Sequence, residues 1–86
     1  MKVCMKVVKV EGECAAGYEP GDEICFEGFR LVSFTKPVCL HLLASALHVV
    51  YAMLKGVEPE AMGYEGGLLR CPDPVKGSVT VKLERR

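Results

Sequence analysis

The residues best suited to chemistry in this chain are its five cysteines and two histidines. Cys14 lies in a glycine-rich stretch, Cys39 falls within the first turn of a predicted helix, and Cys71 ends a predicted strand. Element boundaries are where side chains from distant segments can converge. A helix N-terminus carries partial positive charge and open N–H groups, which favour a thiolate at Cys39. Three thiolates with a fourth donor would suit zinc, or part of an iron–sulfur site. Asp73 and His41 are the nearest candidates for that fourth position. Two other uses of the same residues stand beside this one. A cysteine can pack as a small buried hydrophobe, or serve as a redox or nucleophilic thiol, Cys39 first among them. No Cys-x-x-Cys occurs, although most zinc ribbons and redox pairs use that spacing.

His41 and His48 share one helix face but lie about 10.5 Å apart along the axis, too far to hold one ion as a His-Glu-x-x-His pair does. Cys39 and His41 point in roughly opposite directions, because two helical steps turn through about 200°. Ser45 stands one turn before His48, but nothing in the sequence supplies an acid to orient the imidazole, so no hydrolytic pair is identified. The stripe His41, Ser45, His48 therefore reads as a polar seam or a subunit interface, with a functional pocket as the alternative. Gly12, Gly17 and Gly21 lack the spacing of a phosphate loop, and Tyr18-Glu19-Pro20-Gly21-Asp22 reads as a turn. No catalytic constellation emerges, and the reading favours a protein that is not an enzyme.

The elements that must position these residues follow from periodicity. Val3, Met5 and Val7 alternate with Lys2, Cys4 and Lys6, and the phase then slips at the adjacent Val7 and Val8, which predicts a strand with a bulge or with both faces covered. Glu11 to Gly21 is a loop. Ile24 and Phe26 mark a short second strand. Gly28 to Phe34 reads as irregular or weakly extended, with Phe29, Leu31 and Phe34 as core. Pro37 suits the first turn of a helix that runs to Lys55 and Gly56, with Thr35 the best N-cap by chemistry. This helix is apolar around most of its circumference, so it must be buried on most sides. Val57 to Gly67 is a second loop, Leu68 to Cys71 a short strand stopped by Pro72 and Pro74, and Val79, Val81 and Leu83 mark the clearest strand. The order β-β-α-β-β predicts an α+β fold: a small, mostly antiparallel sheet packed on one long central apolar helix.

Composition bounds the partners. The chain has 86 residues, 11 Lys and Arg against 11 Asp and Glu, and half its residues are apolar. That is one domain, with no basic excess for nucleic acid and no tract suggesting disorder. The apolar run Val38 to Leu54 is short for a membrane span and holds His41, Ser45 and His48, so a buried helix explains it better. The N-terminal residues lack a signal peptide pattern, so the expected location is cytoplasmic, with reduced thiols and no disulfide framework. The surplus apolar surface of the helix predicts a homo-oligomer formed through it.

The order Gly12, Cys14, Gly17, Gly21-Asp22, then Cys39 opening a helix that closes at Gly56, then Cys71-Pro72-Asp73-Pro74, resembles a family of small prokaryotic proteins without an assigned activity. The likeness spans nearly the whole chain, and the Cys-Pro-Asp-Pro tetrapeptide is its most specific part. It implies that Cys14, Cys39 and Cys71 are the three marked cysteines, and that Cys4 and Cys25 stand outside the pattern. The chain departs from that pattern after Gly56, where Pro59-Glu60 replaces a Pro-Trp pair. The resemblance implies a fold and three positions, not a reaction.

Overall fold

A computed structural model describes residues 2–12, 17–72 and 77–86. Five strands and one α-helix follow in the order β1 (Lys2–Glu11), β2 (Glu23–Glu27), β3 (Arg30–Phe34), α1 (Leu40–Leu54), β4 (Leu68–Pro72) and β5 (Ser78–Arg85). The sheet runs β3-β2-β1-β5-β4, and every neighbouring pair is antiparallel. The α+β class is as expected. The order is not: β3 makes it β-β-β-α-β-β. All five residues of β3 are exposed, so this edge strand has no buried face to impress a period of two on the sequence. Its register against β2 also shifts between Cys25 and Phe26, which breaks the alternation further.

Register sorts the side chains of the sheet onto two faces. Val3, Met5 and Val7 of β1, Ile24 and Phe26 of β2, Leu69 and Cys71 of β4, and Val79, Val81 and Leu83 of β5 form one core with Leu42, Ala46, Val49, Val50 and Met53 of α1. The opposite face carries Lys2, Cys4 and Lys6 opposite Glu27, Cys25 and Glu23. The register of β1 against β5 shifts between Val7 and Lys9, which is the bulge that the Val7-Val8 phase slip anticipates.

The helix is shorter than predicted, 15 residues, and Pro37 precedes it. Thr35 is not its cap. The Thr35 hydroxyl donates to Asp22 Oδ1 at 2.8 Å and accepts the Glu23 N–H at 3.0 Å, tying the end of β3 to the start of β2. Cys39 occupies the N-cap with extended backbone and no side-chain cap bond. The Tyr18 hydroxyl serves instead: it accepts the Cys39 N–H at 2.9 Å and donates to the Pro37 carbonyl at 3.1 Å. A donor that would otherwise be orphaned at the helix start is thus satisfied from the preceding loop. At the other end Arg85 of β5 donates through Nη2 to the carbonyls of Met53, at 3.1 Å, and Val57, at 2.8 Å, and pairs with Glu58. The helix has no basic residue in its own last turn, so a neighbouring strand supplies the cation that its C-terminal dipole favours.

Candidate functional site

The stripe of polar residues on α1 lies along the side of the helix that faces β4 and the 3-10 turns before it. His48 Nε2 stands 3.3 Å from the Tyr64 hydroxyl. One and two turns earlier, Ser45 and His41 meet Cys71. His41 Nδ1 lies 3.0 Å from Cys71 Sγ, and Ser45 Oγ lies 3.8 Å from the same sulfur. Cys71 sits on the inner face of β4 opposite Val79 and is only 6% exposed. It remains a thiol. His41, by contrast, is exposed, so the imidazole bridges a buried sulfur to solvent.

This geometry can do chemistry. An imidazole nitrogen within hydrogen-bond reach of a thiol can take its proton, leaving a thiolate, which is the nucleophilic form of cysteine. The Ser45 hydroxyl has one proton to place. It donates to the His41 carbonyl at 2.8 Å, a far better bond than a 3.8 Å contact with neutral sulfur. Negative charge on Sγ would raise the value of that second acceptor and turn the hydroxyl toward it.

The cysteine trio fares unevenly. Cys14 and Asp73 lie outside the described residues. Cys39 is half-buried at the helix N-cap, packed against the core, and its backbone N–H is taken by Tyr18. Among the described residues no group of three His, Cys, Asp or Glu is placed to hold a metal. Cys39 stands at the N-cap with extended backbone, and His41 contacts Cys71 of β4. The Cys71–His41 contact was not derivable from spacing along one element, because its halves come from two elements 30 residues apart. The available signal was a polar stripe on an otherwise apolar helix.

The expectation that every cysteine stays reduced is overturned at Cys4 and Cys25, which form a disulfide. They stand directly opposite in the antiparallel β1–β2 pair, with Cα atoms 4.1 Å apart, and are 0% and 4% exposed. Cross-strand neighbours on one face meet regardless of what lies between them in sequence, so register alone brings the two sulfurs together. No helix among the described residues is long and apolar enough to cross a membrane.

No family model, no curated protein and no solved structure matches this chain.

Proposed function

We propose that this is a small thiol protein in which Cys71 is the nucleophile and His41 its proton acceptor. The observation that carries the reading is the 3.0 Å contact between His41 Nδ1 and Cys71 Sγ, with Ser45 beside them. The chemistry is thiol–disulfide exchange with a small disulfide. His41 takes the Cys71 proton, and the thiolate attacks one sulfur of the substrate, forming a mixed disulfide. The substrate's S–S bond breaks, and the departing thiolate recovers the proton from His41. The resemblance carried by Cys71-Pro72-Asp73-Pro74 supports the choice, since it marks this cysteine among three.

The test is alkylation of the folded protein at neutral pH, followed residue by residue by mass spectrometry. His41→Ala is expected to slow labelling of Cys71 about tenfold or more, within the span of general-base effects, while leaving Cys39 unchanged. Equal labelling of Cys71 in both proteins would defeat the reading. The zinc or iron alternative built on Cys14, Cys39 and Cys71 shares one residue with it and is read from the same preparation. Metal near one equivalent in anaerobically purified protein would replace the exchange reading with the metal one.

A further inference from the structure

The sheet is wider than the helix that covers it. Five strands span about 20 Å, and one helix covers about 10 Å. Helix α1 packs against β1 and β4, and β3 on the far edge keeps its inner face open. Leu31 and Phe34 lie opposite Phe26 and Ile24 in the ladder. Their partners are buried, while they are 41% and 54% exposed.

The outer side of the helix is open as well. Leu40, Ala44, Leu47 and Tyr51 follow at steps of four, three and four, so they form one stripe, and all four are exposed. Leu40 is 80% exposed. Phe29, in the turn between β2 and β3, reaches this stripe with its ring 5.1 Å from that of Tyr51. Phe29 also sits at φ 61° after Gly28 at φ 62°. Tight hairpin turns of this kind favour Gly, Asn or Asp at such positions, and a bulky side chain there is a strained choice. The strained turn holds the Phe29 ring at the end of the stripe, against Tyr51 and under Lys55.

We infer that the outer stripe of α1 and the open inner face of β3 form an isologous interface with a second copy of this chain. Each helix lies along β3 of its partner and completes the layer that one helix leaves unfinished. The area suits this occupant. The exposed parts of Phe29, Leu31, Phe34, Leu40, Leu47 and Tyr51 amount to about 700 Å², close to the roughly 800 Å² that each partner gives a standard interface. Charge suits it too. The stripe from Leu40 to Tyr51 has no ionised group, so nothing on it repels its own copy. Antiparallel helices would place the two Lys55 cations, one over each Phe29–Tyr51 pair, at opposite ends of the contact. Extension of the sheet edge to edge is the less favoured geometry, since β3 is short and its ladder is irregular at Val32.

Sedimentation equilibrium of the full chain tests the inference. The expected result is reversible self-association to twice 9.4 kDa, with a dissociation constant on the order of 1–10 µM. Leu47→Glu places charge at the centre of the stripe and is expected to weaken association at least tenfold. Phe29→Asn is expected to weaken it as well, while the thermal stability of the dilute monomer holds or rises because the turn is relieved. That opposite movement separates an interface role from a folding role. A monomer at about 100 µM, well above the expected constant, would overturn the inference. So would a dimer whose affinity is unchanged in both variants.

Discussion

The two faces of the sheet use the same residue type in opposite ways. On the face away from α1, Cys4 and Cys25 are locked into a disulfide among charged neighbours: Lys2, Lys6, Glu23 and Glu27 flank them in the ladder. Arg86 reaches across to Glu23 and holds its carboxyl below the usual range. On the helix face, Cys71 packs in the core with its Sγ 3.0 Å from His41 Nδ1. The difference shows that what a cysteine does here is set by the group standing opposite. A second sulfur across the β1–β2 pair gives a disulfide, and an imidazole across the helix–strand seam gives a hydrogen-bond contact. Burial does not distinguish them, since both kinds are nearly closed to solvent.

This contrast can be broken from either side. The largest effect is expected on the helix face, where Leu42→Ala removes a fully buried side chain and should lower stability by about 3–4 kcal/mol in denaturant titration. Reducing the disulfide should cost about 3 kcal/mol, given a separation of 21 residues between its cysteines. If reduction leaves the unfolding midpoint unmoved, the bond is not a staple and the contrast dissolves. Gly67→Ala is expected to cost about 2 kcal/mol, because Gly67 is at φ 72° and an added Cβ would stand 2.5 Å from the Leu83 carbonyl oxygen. Arg85→Ala should cost about 0.5–1.5 kcal/mol by removing its hydrogen bonds to the Met53 and Val57 carbonyls. The smallest effect concerns acid. The Asp22 carboxyl is held below its ordinary range, first by the Glu19 N–H, then by Lys36 and Thr35. Its contribution is present above the unfolded carboxylate pKa and is lost as pH falls through the lowered folded value. Asp22→Asn should therefore lower stability slightly at neutral pH and flatten the acid limb, the two proteins converging at low pH.

Much of the fold was legible along the chain. Val3, Met5 and Val7 against Lys2, Cys4 and Lys6 announce a strand with one buried face, and the Val7-Val8 slip announces its bulge. The helix is legible because its apolar residues outnumber any stripe a strand could bury. Its start was placed too early, because Thr35 has the chemistry of a cap but spends its hydroxyl on Asp22 and Glu23. The edge strand β3 was missed because exposure on both faces erases the pattern that strand reading depends on.

The site was legible only in halves. Sequence by itself determined that the chain is of the α+β class with balanced charge, that its helix carries a polar stripe at His41, Ser45 and His48, and that Cys71 lies at the end of a strand. Those are local properties, fixed by periodicity and by the turn residues that end each element. Only the tertiary structure decided that Cys71 faces His41, that Cys4 faces Cys25, and that β3 is exposed along its whole length. These depend on strand order and register, which are set by how distant segments share one core, and no spacing within a single element encodes them.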